Sequence, residues 1–300
     1  MNDLALIAGR GTLPGHIVRQ LPSRPVVVGV EGELPDALKV DLTFRLETLG
    51  SFVNRLKERG VKRLCFAGRT GRPELDLKAL DAETMALLPR VAHALRQGDD
   101  AAFRLLLGFF EEAGIRIVGA HELAPDLLPA PGVLAGSVTD THRKDAARGA
   151  AIVAALGAAD VGQACVVSGG QALALEALPG TDWMLSSLMQ AAPADAPGLT
   201  DPLGMAADWL SGPAASAPPR AIRDPALPKG GLLFKGPKPR QDLRIDMPTI
   251  GPDTVRRAAK AGLEGIVIQA GAVMLLDLAE ARAEAEASGL FLWVREADAP

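Results

Sequence analysis

Twice in the first quarter of the chain a short apolar run ends in a glycine-bearing turn, once as LALIAGRGTLPG from Leu4 and again as RLCFAGRTGRP from Arg63. No other feature constrains the fold as tightly. An apolar strand that breaks at glycine into a helix, followed by the β-branched run PVVVGV at 25–30, is a βαβ unit, and its strands must be parallel. Helices are expected over 13–21, over 52–59 closed by Gly60, and over 99–113 started by acids and stopped by Gly114, with strands at 4–8, 25–30, 63–67 and 115–118. Such an alternation predicts an α/β parallel sheet with ligands at the carboxyl ends of its strands.

Three hundred residues exceed the usual size of one domain. Pro129, Pro131 and Gly132 punctuate the chain where the rhythm changes, so the expected domains are 1–133 and 140–300. In the second half a helix is expected over 146–156. A hairpin turns at SGGQ between 163–167 and 172–177, and Thr181 or Asp182 caps a helix that runs to Met189. Residues 191–228 hold 8 of the 23 prolines and read as a long Pro/Ala-rich loop. A strand at 232–235, a helix at 252–261, strands at 265–269 and 273–276, and a last helix and strand over 277–294 complete the α/β pattern.

Composition removes several classes of function. With 32 Lys and Arg against 36 Asp and Glu, the net charge of -4 advertises neither nucleic acid nor an anionic membrane. Cys65 and Cys165 lie in apolar runs and are expected as small buried hydrophobes without a disulfide. The N-terminus lacks a signal peptide's basic region, and the apolar stretch at 150–159 is too short to span a bilayer, so a cytoplasmic protein without a transmembrane segment is expected. The four histidines, at 16, 93, 121 and 142, have no metal-ligand spacing, and no G-x-S-x-G elbow occurs.

Four places carry chemistry. The first turn, with Gly9, Gly11 and Thr12, can present backbone amides and a helix N-terminus to phosphate, although Pro14 stands where a dinucleotide fingerprint needs glycine. The second turn adds Gly68, Arg69 and Arg72 at the same sheet edge, and Asp99 and Asp100 start a helix of which one acid can face the ligand. The loop KGPKPRQDLRIDMPTIG gathers Lys235, Lys238, Arg240 and Arg244 around Asp242 and Asp246, stiffened by three prolines. Cations interleaved with carboxylates are what hydrolysis of a phosphoric anhydride requires. Last, Gly180, Thr181 and Asp182 open a helix close to Glu176. A nicotinamide oxidoreductase using Gly9, Gly11 and Glu31, or a nucleotide-binding regulatory module without catalysis, remains an alternative at this point.

LIAGRGTLP, CFAGRTGRP, RQGDDA, GAHE at 119–122, ALALEALPGTDWML and above all KGPKPRQDLRIDMPTIG, in this order along nearly the whole chain, resemble the LpxI-type UDP-2,3-diacylglucosamine diphosphatases of lipid A biosynthesis. The resemblance implies a Rossmann-like N-terminal domain that binds UDP and a C-terminal domain that binds the acylated sugar phosphate, with the active-site cleft between them. It implies Mg²⁺-assisted attack of water on the α-phosphorus, giving UMP and 2,3-diacylglucosamine 1-phosphate, with Mn²⁺ as a substitute. The family's essential carboxylate falls on Asp246, expected as catalytic group and metal ligand. Asp242, Lys235 and Lys238 are expected to assist catalysis. Gly9, Gly11, Thr12, Gly68, Arg69, Asp100, Gln241, Thr181 and Asp182 are expected to bind substrate. Glu176 and Asp182 are expected as lesser metal helpers, on the ground that hairpin and loop share a domain. Two departures stand out, Arg10 within the glycines of the first turn and a longer 191–228 segment. A lipid substrate implies peripheral contact with the inner membrane, and a homodimer is the commonest symmetric assembly.

Overall fold

LALIA is buried at every position, the signature of a strand covered on both faces. In the computed structural model, which describes residues 3–71, 76, 78–86, 99–191, 221–239 and 241–297 (side chains of 99–104 and 191 excepted), this run is β1 (Leu4–Ala8). There follow α1 (Leu13–Gln20), β2 (Val26–Val30), β3 (Leu42–Phe44), α2 (Leu49–Glu58), β4 (Arg63–Ala67), α3 (Ala82–Met85), α4 (Asp99–Glu112), β5 (Arg116–Ile117) and α5 (Ala120–Leu123). The five strands make one parallel sheet in the order β3-β2-β1-β4-β5. Its order reverses at β1, so the carboxyl ends of β1 and β4 lie side by side, Ala8 opposite Ala67. That switch point is where an open α/β sheet accepts ligands.

Alternation along β1 sends Ala5 and Ile7 to one face and Leu4, Leu6 and Ala8 to the other. On the first face Phe44 stacks on Phe52 at 4.2 Å, and Phe52 meets Phe110 edge-on at 6.3 Å, which fixes α2 and α4 against the same side of the sheet. Ile17, Val118 and Ala124 cover the second face.

The second half forms β6 (Gly132–Ala135), α6 (Asp140–Ala158), β7 (Ala164–Ser168), β8 (Gln171–Leu175), α7 (Gly180–Ser186), β9 (Met189–Ala191), β10 (Ala221–Arg223), β11 (Leu232–Lys235), β12 (Thr249–Ile250), α8 (Pro252–Lys260), β13 (Gly265–Gln269), β14 (Met274–Leu275), α9 (Leu278–Ala287) and β15 (Phe291–Arg295). Six of these strands make a mixed sheet in the order β6-β15-β13-β11-β7-β8, with β11, β13 and β15 parallel and the flanking strands antiparallel. The hairpin turns where expected. Gly169 and Gly170 both take positive φ, and the Asp145 carboxylate accepts both of their amides, at 2.9 and 2.7 Å.

Three local expectations change. The helix expected from 146 begins at Asp140, because the Thr139 hydroxyl accepts the His142 amide and caps a polar first turn that carries no apolar periodicity. Gly132, read as punctuation, opens an edge strand, β6, that pairs with β15. The ends of the segment read as one long loop pair with each other as β9 and β10, while residues 192–220 lie outside the described ones. Among the described residues no helix is long and apolar enough to cross a membrane.

Contacts group the chain into two units. The first is Met1–Pro129 with Arg240–Thr249 and Met274–Leu276, and the second is Ala130–Pro239 with Ile250–Val273 and Asp277–Pro300. The change falls at Pro129, beside the expected punctuation. The sequence reading runs the second domain unbroken through 140–300, whereas the structure returns 240–249 and 274–276 to the first unit.

Candidate active site

In the first unit the two glycine turns bind each other. Arg10 donates its amide to the Arg69 carbonyl at 2.8 Å and Arg69 returns the bond at 2.9 Å, while the Gly9 amide reaches Ala67 at 2.8 Å. A Cβ on Gly9 would overlap the Arg69 carbonyl, and one on Gly68 would sit 2.8 Å from the Arg10 carbonyl. Close backbone approach therefore explains both glycines. Gly11 differs, with φ at +97 and open space around it, and its amide donates to Asp36 at 2.7 Å. Thr12, the exposed N-cap of α1, makes no side-chain cap, and Arg69 is exposed beside it in the paired turn. Asp100 lies in the first turn of α4 with its side chain outside the described ones, and Arg72 and Arg240 lie outside the described residues altogether.

Three apolar side chains dock residues 242–247 on this unit. Ile245 packs into the core on the Phe52 face, and Leu243 and Met247 pack into the core on the Ile17 face. Asp242, Arg244 and Asp246 then occupy the polar positions between them. Arg244 grips Asp242 bidentately, Nε to Oδ1 at 3.0 Å and Nη2 to Oδ2 at 2.6 Å, and its Nη1 reaches Glu111 at the end of α4 at 2.7 Å. Hydrogen bonds from Arg244 to Asp242 and Glu111 raise the guanidinium further above its ordinary value. The Asp242 carbonyl accepts the Ile245 and Asp246 amides, closing a tight turn. Asp246 stands exposed at its exit, with Gln241 Nε2 donating to Oδ2 at 2.7 Å.

GAHE belongs to the same unit and acquires a physical reason. A Cβ on Gly119 would stand 2.5 Å from the His121 ring and 3.3 Å from the Arg244 Cα, so glycine lets the imidazole and the Asp242–Asp246 turn approach. Glu122 accepts the Gly119 amide at 2.8 Å, and the His121 Nδ1 is buried with no partner among the described residues.

In the second unit Lys235 ends β11 and is only 7% exposed. Its Nζ donates to the Thr181 hydroxyl at 2.9 Å, which in turn donates to buried Glu176. An ammonium at this depth needs such an acceptor chain leading to a carboxylate. Gln269 and Arg295, at the carboxyl ends of β13 and β15, are paired in register near it. Sequence reading passes over both, and over Glu111, because only strand order and helix packing give them these neighbours.

The expected helix cap is corrected: Pro179 is the N-cap of α7, and the Thr181 hydroxyl serves Lys235 and Glu176 instead. Asp182 faces Arg257 at 3.4 Å, and Lys238 pairs with Asp160 at 2.7 Å. Grouping 240–249 with the first unit removes the ground on which Glu176 and Asp182 were expected to help Asp246.

Among the described residues no three His, Cys, Asp or Glu side chains converge as a metal cage. An exposed carboxylate such as Asp246 still suits Mg²⁺, which commonly takes one or two carboxylates, several waters and the oxygens of a phosphate substrate. Hard oxygen donors of this kind fit Mg²⁺ and Mn²⁺.

Comparison with known proteins agrees in both halves. Residues 3–127 match the LpxI N-terminal domain and residues 130–293 the LpxI C-terminal domain. The chain is also 33% identical over 300 residues to the UDP-2,3-diacylglucosamine pyrophosphatase LpxI of Caulobacter vibrioides, covering 97% of each.

Proposed function

The chain belongs to the LpxI family, and on that premise we propose that it is a pyrophosphatase of lipid A biosynthesis that hydrolyses UDP-2,3-diacylglucosamine. The observation that carries this reading is the turn at Asp242–Asp246, an exposed carboxylate held by apolar anchors on either side and by the Asp242–Arg244–Glu111 ion pairs. A group that must act on one phosphorus atom gains from such fixed placement.

Asp246 is the group that faces the reacting water. Water forms the new bond to the α-phosphorus, the bridging oxygen leaves with 2,3-diacylglucosamine 1-phosphate, and UMP carries the new oxygen. The proton released passes to the Asp246 carboxylate or to solvent. Gln241 fixes the carboxylate's orientation through Oδ2. Lys235 offers positive charge to a phosphoryl oxygen, with Thr181 and Glu176 holding it in place, and Lys238 adds charge at the same end of the loop. Gly11, Thr12, Gly68, Arg69 and Asp100 bind the nucleotide end, Gly9 shapes the turn that holds them, and Thr181 and Asp182 bind toward the sugar phosphate. Asp242 serves by anchoring Arg244. Asp246, with the substrate's own phosphate oxygens, would hold Mg²⁺ or Mn²⁺, which would supply positive charge where negative charge develops.

Purified protein incubated with UDP-2,3-diacylglucosamine and Mg²⁺ should release UMP, lose this activity in EDTA and regain it with added Mg²⁺. Full activity in excess chelator would overturn the metal assignment, and absence of UMP would overturn the hydrolase reading.

A further inference from the structure

Among the described residues eight large hydrophobic side chains are exposed, and four of them fall between 161 and 183: Val161 at 45%, Leu175 at 44%, Leu178 at 84% and Trp183 at 57%. All four belong to one end of the second unit. Leu175 closes β8, the edge strand of the mixed sheet. Gly162 packs directly on the Glu176 backbone, where a Cβ would overlap the carbonyl, which brings Val161 beside that strand's exit. Leu178 lies two residues before α7, and Trp183 is in its first turn. Single exposed apolar residues need no explanation, whereas a cluster of them containing a tryptophan marks an interaction surface.

Chemistry next to the patch indicates what covers it. A groove between α7 and α8 includes Ser186, one helical turn along from Trp183, and three cations, Arg256, Arg257 and Lys260, against the single carboxylate Asp253. Arg256 is held by Asp253, Glu280 and Glu284, and Arg257 faces Asp182. Lys260 is exposed and has no carboxylate partner among the described residues. An apolar cluster with an amphipathic indole, bordered by available positive charge, complements the headgroup and acyl boundary of an anionic bilayer.

We propose that this end of the second unit docks on an anionic phospholipid surface, with Leu178 and Trp183 entering the interface and Lys260 meeting headgroup phosphates. The inference rests on the proposed activity, since a diacylated substrate resides in a bilayer, and it adds the surface through which that bilayer is reached. A contact of this kind needs no spanning helix.

The test uses the full chain with vesicles of phosphatidylglycerol and phosphatidylethanolamine, and with vesicles of phosphatidylcholine alone, none containing substrate. The protein should float with the anionic vesicles, and its tryptophan emission should shift to the blue, a shift lost in Trp183→Phe while binding persists. Leu178→Asp combined with Trp183→Ala should weaken partitioning at least about tenfold without changing the melting temperature. Lys260→Glu should weaken it on the anionic vesicles only. The double variant should keep wild-type release of UMP from detergent-dispersed substrate. If the wild type releases none, the hydrolase reading fails while vesicle binding still decides the docking surface. Partitioning of the double variant within about twofold of wild type, or absence of wild-type binding, would overturn the proposal. So would a dimer that becomes monomeric in the double variant while vesicle binding is unchanged, since the patch would then meet a second copy of the chain.

Discussion

Two aspartates four residues apart in one loop have different neighbours. Asp242 is bound bidentately by Arg244, whereas Asp246 is exposed with one oxygen taken by Gln241. Asp246→Ala should therefore leave a folded protein that binds substrate and turns it over at least about a hundredfold more slowly, the usual scale for a positioned catalytic group. Asp242→Ala should slow turnover less and lower the melting temperature, since it frees Arg244 from its nearer partner at a cost of about 1 kcal/mol. Turnover assays paired with melting curves separate the two, and equal losses of activity with equal melting temperatures would contradict the division. Which partner each cation meets was not legible in the sequence. Arg244 reaches Glu111 and Lys235 reaches Thr181, partners more than fifty positions away that only the fold brings near. Local chemistry was readable for the cysteines, which are unbridged and buried, with burial pushing both thiols up to about 12.

At the scale of elements, the parallel strands and their glycine turns were readable because burial on two faces and a break in the backbone leave marks within a few residues. The docking of 242–247 left a mark too, the strict alternation of Asp242, Leu243, Arg244, Ile245, Asp246 and Met247, but a charge count conceals it. Residues 243–245 form a turn rather than a strand, and each of the three apolar side chains enters a core of the first unit. The glycine turns separate packing from ligand binding in a testable way. Gly9→Ala places a Cβ against backbone and should cost about 1–3 kcal/mol, lowering the melting temperature by several degrees. Gly11→Ala meets open space and carries only the cost of its positive φ, about 1 kcal/mol, and its larger effect should be on UDP binding. Calorimetric titration with UDP beside melting curves checks both. A melting loss for Gly11→Ala as large as that for Gly9→Ala would show that the first turn is structural throughout.

The whole chain comprises two units joined by a chain that leaves the first, builds most of the second and sends 240–249 and 274–276 back. The change near Pro129 was visible as punctuation, but the return was not, because no composition shift accompanies it. Acid should act on the first unit. Burial pushes the Asp41 carboxyl up, but hydrogen bonds from Arg24 and the Val27 amide outweigh it, and at Asp81 Ser51 and Thr84 do the same, so both are held below their ordinary value. A folded-state value below the unfolded one gives stability that is present above the unfolded value and is lost as pH falls through the folded one. The urea midpoint of the first unit should hold from pH 8 to about 5 and then fall toward about pH 3. The Asp41→Asn, Asp81→Asn variant should show a shallower fall, and an unchanged slope would remove these carboxylates from the account.

The central claim, water attack on the α-phosphorus by a chain that carries its own catalytic carboxylate, is tested most directly by hydrolysing UDP-2,3-diacylglucosamine in ¹⁸O-enriched water with purified protein and Mg²⁺. The account predicts one labelled oxygen in UMP, none in 2,3-diacylglucosamine 1-phosphate, and labelled UMP formed at least about a hundredfold more slowly with Asp246→Ala. Label in the sugar phosphate, or labelled UMP formed by Asp246→Ala at the wild-type rate, would contradict it.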